Sequence, residues 1–316
     1  MPGLESVLQS LTAGLLIGCT YGLMCVALGL IFGVLRLVNF AQGDFLMLGM
    51  YFALFVVTGA GLGAALGPVT AVLLAGVMGI VPFFALGWLV HQTLVGPVSG
   101  MEKSLLEEER HQAQLIMTLG ISLVLANGGL MVFGSTPMAV RTPLSSEAWQ
   151  LRPLGGQDVV VFLNKAQMLT AGVALVATAG VYALLYATGL GKRIRAAADN
   201  PTAAVYMGID VARSHRIAFG LGIAVTGVAG VMTALFYPFQ PYVGLDFVVV
   251  MYAGVVLGGL GSVMGSFWGG LLIGLVQQLS TLVLPVQLQG TAVFVVFLLT
   301  MLIRPQGLFG RNVERA

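Results

Sequence analysis

Long apolar segments recur along this chain and constrain its fold more than any other feature. A helix needs roughly 20 apolar residues to cross the ~30 Å hydrocarbon core of a bilayer. About nine segments approach or exceed that length, at residues 8–32, 45–57, 69–90, 115–133, 168–186, 217–236, 247–260, 267–284 and 291–303. Their apolar character is continuous rather than alternating, which predicts helices and not the strands of a membrane barrel. We therefore expect an all-α, polytopic membrane helix bundle with about eight to ten transmembrane helices.

Composition supports the same fold class. Only 8% of the 316 residues are charged and 58% are hydrophobic, whereas a soluble domain carries about 25% charged residues. The formal net charge of +2 is too small to predict a nucleic-acid partner. We interpret residues 1–316 as a single transmembrane domain that contacts the lipid bilayer and no nucleic acid.

Basic residues predict which side of the membrane each connecting segment occupies. They cluster between the fifth and sixth apolar segments and in the C-terminal tail, at Lys192, Arg193, Arg195, Arg213, Arg216, Arg304, Arg311 and Arg315. Segments rich in Lys and Arg stay in the cytoplasm. Counting spans outward then predicts a cytoplasmic C-terminus, a periplasmic N-terminus, a periplasmic loop at 135–166 and a cytoplasmic coupling segment at 191–216. The expected location is the bacterial inner membrane, crossed several times.

Two of the apolar segments, the second and the seventh, are short. The second follows a polar break from Asn39 to Asp44, and the seventh follows a similar break from Pro241 to Asp246. Each break comes after a long span, and the predicted directions of those two spans are opposite. Transporters often build a site near the membrane midplane from interrupted helices in two inverted halves. The pattern predicts an inverted repeat with two short or broken helices, and the alternative is a pair of ordinary loops with solvated aspartates.

The first break and the fourth apolar segment supply candidates for a substrate pathway. Polar side chains inside an apolar bundle are costly unless they face a partner or a cavity. The candidates are Asn39, Phe40, Gln42, Gly43, Asp44, Thr118, Ser122 and Asn127, with Gln277 and Gln278 as further polar residues near the eighth segment. For each polar residue, the alternative is a hydrogen bond to a neighbouring backbone carbonyl.

The residues that catalysis or metal binding would need do not cluster in the sequence. His91, His111 and His215 lie far apart, without Cys or acidic residues at ligand spacing. Residues 189–192 resemble part of a phosphate loop but lack the Ser or Thr that would follow Lys192. We expect no enzymatic activity, no metal site and no cofactor on this chain.

The segment ahead of the sixth span carries signals for a short, capped helix. Asn200 is a favourable N-cap, Pro201 suits the first helical position, and Gly208 is placed to end the helix. Asp210 can then cap a second helix that leads into the sixth span. Such a helix could receive force from a motor protein, and the alternative is an amphipathic helix resting at the lipid interface.

Five sequence blocks in this order resemble one transporter family. They are GLMCVALGLIFGVLRLVNFAQGDFLMLGMY from Gly22, LIMTLGISLVLANGGLMVFGS from Leu115, RAAADNPTAAVYMGIDV from Arg195, GGLGSVMGSFWGGLLIG from Gly258 and IRPQGLFG from Ile303. Together they cover much of the chain, and they resemble branched-chain amino acid ABC transporter permeases of the LivH type. One position departs from the resemblance, because Gln42 stands where relatives often have a histidine. That substitution puts a histidine-dependent role at this position in doubt.

The resemblance implies a function, partners and site residues. It implies a permease subunit of an importer for branched-chain amino acids or related small polar solutes. The partners would be a second permease, expected to be a paralogue, two cytoplasmic ATPase subunits that bind ATP and Mg²⁺, and a periplasmic substrate-binding protein. The residues implied to couple to the ATPase are Ala198, Asp199, Asn200, Pro201, Ala204, Gly208, Asp210 and Arg213. Alternatives are a permease of the same fold for urea, amides or a sugar, or an ATP-independent secondary transporter.

Overall fold

The computed structural model describes residues 3–99, 107–151, 160–304 and 306–309. Arg311, Arg315 and residues 152–159 of the predicted periplasmic loop lie outside the described residues. The helices and strands are α1 (Leu4–Leu35), α2 (Gln42–Leu54), α3 (Leu62–Leu66), α4 (Pro68–Val90), α5 (Gly96–Ser99), α6 (Glu107–Phe133), α7 (Pro143–Ser146), β1 (Ala148–Leu151), β2 (Val161–Asn164), α8 (Lys165–Ala187), α9 (Gly189–Asp199), α10 (Pro201–Tyr206), α11 (Val211–Thr233), α12 (Val243–Gly258), α13 (Val263–Ser280) and α14 (Gln289–Ile303). Turns of π-helix at Phe55–Gly59 and His91–Val95 prolong α2 and α4, and a 3-10 turn at Val286–Leu288 precedes α14.

Apolar helices occupy the positions of all the predicted segments. Within the described residues, seven are long and apolar enough to cross a membrane: Leu4–Leu35, Gln42–Gly59, Val69–Val95, Gln112–Phe133, Lys165–Ala187, Val211–Thr233 and Val263–Ser280. Val243–Gly258 and Gln289–Ile303 are shorter apolar helices. The prediction of an all-α polytopic membrane bundle is confirmed.

Two details of the fold differ from what the sequence indicates. The second apolar segment belongs to an 18-residue span, because the polar residues 42–44 form the first turn of its helix instead of a loop. In addition, β1 and β2 pair as a small antiparallel sheet within the predicted periplasmic loop, with Trp149 opposite Leu163. This pairing was not predicted, since the two strands are only four residues long.

Glycines set the close approach of the first long helix to α13. A Cβ atom on Gly18 would lie 2.6 Å from the carbonyl oxygen of Leu271, and one on Gly33 would lie 3.2 Å from Gly261. Residue numbers rise along α1 while those of its contacts fall towards the start of α13, so the two helices are antiparallel. Small residues allow such backbone contact in lipid, where there is little hydrophobic drive for helix association.

The pair formed by α4 and α11 repeats this arrangement. A Cβ atom on Gly87 would lie 2.9 Å from Gly220, and one on Gly76 would lie 2.9 Å from the side chain of Met232. These helices are therefore antiparallel as well. Helices α1, α2 and α4 form the first half of the repeat, and α11, α12 and α13 form the second half. The first helix of each half packs against the third helix of the other half, which is the relation that an inverted repeat produces.

Contacts between connecting segments define two ends of the bundle. At the loop end, the side-chain amide of Gln9 in α1 donates to the carbonyl of Phe162 in β2 at 2.7 Å. At the basic end lie Arg36, α9, α10 and the C-terminal residues, where the amide of Leu308 donates to the carbonyl of Leu257 at 2.9 Å. The N-terminal helix start and the chain's last described residues therefore lie at opposite ends.

Helices α2 and α12 begin inside the bundle. Gln42, the first residue of α2, hydrogen-bonds to Thr226 in the middle of α11. Phe247 in the first turns of α12 packs on Tyr21 in the middle of α1, with ring centroids 6.2 Å apart. The N-termini of the two helices consequently meet near the centre, approached from opposite ends of the bundle.

Candidate translocation site and capped segment

The chain breaks its helical path directly after α1. Arg36 ends α1 with a left-handed backbone, at φ 51°, and its amide donates to the carbonyl of Phe32 at 2.8 Å. The following residues run back into the bundle without helical structure and are largely buried. Non-helical backbone at membrane depth is tolerated where protein covers it. Helix α6 satisfies part of this backbone, because the hydroxyl of Thr118 donates to the carbonyl of Val38 at 3.2 Å.

A chain of hydrogen bonds then crosses from the break to α11. The side-chain amide of Asn39 donates to Oε1 of Gln42 at 2.9 Å. The amide of Gln42 donates to the hydroxyl of Thr226, and that hydroxyl donates to the carbonyl of Gly222 at 2.9 Å. All three side chains are buried, so their hydrogen bonds are made to one another and to the backbone, and only the side-chain oxygen of Asn39 lacks a partner among them within the described residues.

Asp44 extends this group towards α6 and α12. Its side chain is 2% exposed, and the side chain of Ser122 in α6 interacts with its carboxyl group. The alternative of a solvated aspartate is therefore wrong for Asp44, whereas Asp246 is exposed. We call Asn39, Gln42, Asp44, Thr118, Ser122 and Thr226 the central polar block.

The two helix starts touch at glycines beside Asp44. A Cβ atom on Gly43 would overlap the carbonyl oxygen of Gly244, and one on Gly244 would lie 2.8 Å from Oδ1 of Asp44. Next to this contact, the ring of Phe40 packs on Tyr252 of α12 with centroids 5.7 Å apart. Residues of the break thus form the junction between the two halves.

Other candidate residues lie away from the central polar block. Asn127 is exposed, and its side chain donates to the carbonyl of Leu123 in its own helix at 2.8 Å. Gln277 is half-buried and hydrogen-bonds Gln289 of α14 at 3.5 Å, and Gln278 is half-buried too. The structure brings together the residues of the break with Thr118 and Ser122 and leaves these three outside.

Sequence reasoning missed Thr226, Gly244 and Tyr252. Thr226 is a single hydroxyl within an apolar span, and one such residue usually bonds its own helix backbone. Gly244 lies in the second break, so the matching pattern of the two breaks was the signal that could have identified it. Tyr252 gives no local signal, because only the tertiary fold brings it to Phe40.

The capped segment, residues 191–216, has the local structure that the sequence predicts. Oδ1 of Asn200 accepts from the amide of Ala203 at 3.0 Å, and Pro201 is the first residue of α10. Gly208 ends this helix with φ 76°, a conformation that glycine adopts without steric cost. Oδ1 of Asp210 then accepts from the amide of Arg213 at 2.8 Å and caps α11.

The short helix α10 presents apolar side chains outward. Tyr206 is 85% exposed and Met207 is 81% exposed, and Val205 is exposed beside them. Ala204 faces the opposite way and is buried. On either side of α10, Asp199 at the end of α9 and Arg213 at the start of α11 are exposed, and Ala198 is half-buried. An exposed cluster of large apolar residues on a rigid, capped helix is typical of an interaction site.

Helix α9 attaches this segment to the bundle. Ile194 and Ala197 are buried on one face. The Arg195 guanidinium lies 4.5 Å from the ring centroid of Tyr186, and its Nε donates to the carbonyl of Leu185 at 3.2 Å. These contacts hold α9 against the end of α8 and so attach the capped segment to the bundle.

The fold and the site define a class of protein. A multi-pass helical bundle in which two interrupted helices meet beside buried polar groups is the architecture of a membrane transport protein. Residues 10–304 match the family described as "Branched-chain amino acid transport system / permease component". The chain belongs to that family, and the resemblance seen in the sequence is confirmed.

Curated relatives cover nearly the whole chain. The high-affinity branched-chain amino acid transport system permease protein LivH of Escherichia coli (strain K12) is 27% identical over 313 residues, which are 98% of this chain and 97% of the relative. The corresponding protein BraD of Pseudomonas aeruginosa is 27% identical over 319 residues, 100% of each chain. A probable LivH of Methanocaldococcus jannaschii is 27% identical over 300 residues, 91% of this chain and 88% of the relative. These relatives are transport permeases rather than enzymes. No solved structure matches the chain at a significant level.

Proposed function

We propose that this chain is the transmembrane permease subunit of a bacterial ABC importer for branched-chain amino acids or related small polar solutes. ATP and Mg²⁺ bind to two cytoplasmic ATPase subunits and not to this chain. A second permease, a paralogue in this proposal, completes the membrane part, and a periplasmic binding protein delivers the solute. The names of the relatives support the solute class.

The proposal places the basic end of the bundle in the cytoplasm of the inner membrane. Lys192 and Arg193 are exposed at that end, and basic residues flanking spans stay on the cytoplasmic side. The C-terminus is then cytoplasmic, and the N-terminus is periplasmic together with the β1–β2 sheet. The binding protein would approach this sheet, because both lie on the periplasmic side.

The observation that carries the proposal is the exposed, capped helix α10. Its apolar residues Val205, Tyr206 and Met207 point away from the bundle, so they can enter a groove on an ATPase subunit. ATP binding would draw the ATPase subunits together and move α10 and α9. The cavity between the two permeases, which opens to the cytoplasm before this step, would then open to the periplasm. The central polar block lies where the two halves of this chain meet and would line the solute's route.

Breaking the end of α10 tests this mechanism. The variant Gly208→Pro cannot adopt φ 76°, since proline fixes φ near −65°. The space around Gly208 is open, so the bundle should still fold and insert. In vesicles containing the whole importer, we expect uptake to fall at least about tenfold while ATP hydrolysis continues, which corresponds to about 1.4 kcal/mol in the barrier to coupled transport.

Gly134→Pro is the matched control, because Gly134 also has φ 76° and open space but lies after α6, at the loop end. The importer that contains this control variant should keep its ATPase subunits bound and should hydrolyse ATP at the wild-type rate. Uptake at the unmutated rate by Gly208→Pro would contradict the proposal. Uptake by the wild-type chain without ATPase subunits would instead identify a secondary transporter.

A further inference from the structure

One carboxylate oxygen at the centre of the bundle has no hydrogen-bond partner in the described part of the chain. It is Oδ1 of Asp44, whose side chain is almost completely buried. The side-chain oxygen of Asn39, in the same central polar block, has no partner either. Buried polar atoms are nearly always hydrogen-bonded, and an exception requires an explanation such as a ligand. These two oxygens are therefore candidates to accept hydrogen bonds from a solute.

The unpartnered oxygen of Asp44 faces the first turn of α12. A Cβ atom on Gly244, the second residue of that helix, would lie 2.8 Å from it. Helix α12 has 16 residues, and the start of such a helix carries a partial positive charge that attracts anions. The amides of Val243 and Leu245 already donate to the carbonyls of Gln240 and Tyr242, so the amide of Gly244 is the donor that this turn can offer. The carboxylate of Asp44, which can bind a positive charge, and the start of α12, which can bind a negative charge, thus lie side by side.

We propose that these two groups bind the two charges of an α-amino acid. The carboxylate of Asp44 accepts hydrogen bonds from the ammonium group of the solute, and the amide of Gly244, in the first turn of α12, donates to the carboxylate group of the solute. This inference rests on the proposed function and assigns the groups that bind the two charges of its solute. Because Gly43 and Gly244 bring the helix starts into backbone contact, the solute binds when α2 and α12 move apart.

A zwitterion matches these groups better than other small solutes. A lone anion is opposed by the charge of Asp44, and a lone cation would leave the amide at the start of α12 without an acceptor. Urea or a sugar would leave the buried carboxylate without a counter-charge, which is costly in a low-dielectric environment. Asn39 offers the ammonium group a second acceptor. The site therefore selects amino acids against the uncharged solutes that the same fold could carry.

The control removes an acidic side chain outside the proposed site. Asp246 cannot serve, because it lies in the first turn of α12, which is part of that site. Glu5 lies in the first turn of another spanning helix, α1, and is exposed. Glu5→Gln therefore removes one negative charge without touching the proposed site.

Transport by the whole importer in vesicles tests the proposal with Asp44→Asn, which keeps the side chain's shape. We expect leucine uptake per ATP hydrolysed to fall at least about tenfold, as for the loss of a charged hydrogen bond. Hydrolysis stimulated by the loaded binding protein should stay near the wild-type rate. Glu5→Gln should match the wild type in both. Unchanged leucine uptake per ATP by Asp44→Asn would overturn the proposal, and so would an equal loss of uptake and hydrolysis.

A binding measurement on the wild-type complex needs no variant. Thermal unfolding of the detergent-purified importer, without its binding protein, is followed with leucine, with 4-methylpentanoate, which lacks the ammonium group, or with 3-methylbutylamine, which lacks the carboxylate. We expect stabilisation by leucine alone. Equal stabilisation by either analogue, or none by leucine, would overturn the inference. If the wild type showed no ATP-driven uptake, the proposed function would fail, and this measurement would still decide the inference.

Discussion

The central polar block and the capped segment are built in opposite ways. In the central polar block, Gln42 and Asp44 depend on partners from other helices, Thr226 of α11 and Ser122 of α6. In the capped segment, the caps are formed by residues three positions apart, as between Asn200 and Ala203. One region is held by tertiary contacts and turns its polar groups inward. The other is held by local hydrogen bonds and turns its apolar groups outward.

This difference separates the effects that substitutions should have. A change in the central polar block disturbs several helices at once, so it should lower the stability of the whole bundle. A change in the capped segment affects one short helix with few tertiary contacts, so it should alter coupling and leave the bundle's stability nearly unchanged. Thermal unfolding of the detergent-solubilised protein, compared with transport, distinguishes the two.

The largest loss of stability is expected for Gly43→Ala. The added methyl group would overlap the backbone of Gly244, so the two helix starts could not keep their backbone contact in the resting bundle. Overpacking of this kind costs about 1–3 kcal/mol or more, so we expect a large fall in the thermal midpoint and in the yield of folded protein. Gly120→Ala is the control, because Gly120 is also in a spanning helix but has open space. A Gly43→Ala protein as stable as that control would show that α2 and α12 do not meet here.

A smaller and local effect is expected for Asn200→Ala. Loss of an N-cap costs about 1 kcal/mol, which here falls on α10 alone. Uptake per ATP hydrolysed should drop several-fold, while the thermal midpoint of the bundle stays the same. Asn164→Ala removes an equivalent cap from the spanning helix α8, where Asn164 accepts from Ala166 at 2.9 Å. That variant should lower the thermal midpoint and leave uptake per ATP hydrolysed unchanged. If both variants changed the same one of these two quantities, the distinction between the two regions would be wrong.

The same contrast explains how much the sequence could predict. The capped segment follows from Asn200, Pro201, Gly208 and Asp210, because a cap acts within a few residues of itself. The apolar segments predict the spanning helices for the same reason, since length and composition are local properties. These parts of the fold are confirmed.

The central polar block could be predicted only in part. The break from Asn39 to Asp44 marks itself by its polar residues, but its partner Thr226 comes from a span more than 180 residues later. Asn127 looks equivalent to Ser122 in the sequence, although it faces away from the block because of its position on the helix. The length of the second span was also misjudged, since burial by neighbouring helices lets Gln42 and Asp44 stay helical. The roles of these residues in transport stay predictions.

The central claim is that α10 transmits the stroke of an ATPase, and Tyr206 offers the most direct test. Its side chain is 85% exposed, so a photo-crosslinking amino acid at this position should leave the thermal midpoint unchanged. In membranes that contain the whole importer, we expect illumination to join the chain to an ATPase subunit. The same amino acid in place of Trp149, exposed on β1 at the loop end, should give no such product. Crosslinks from position 206 to lipid alone, or to a periplasmic protein, would contradict the account.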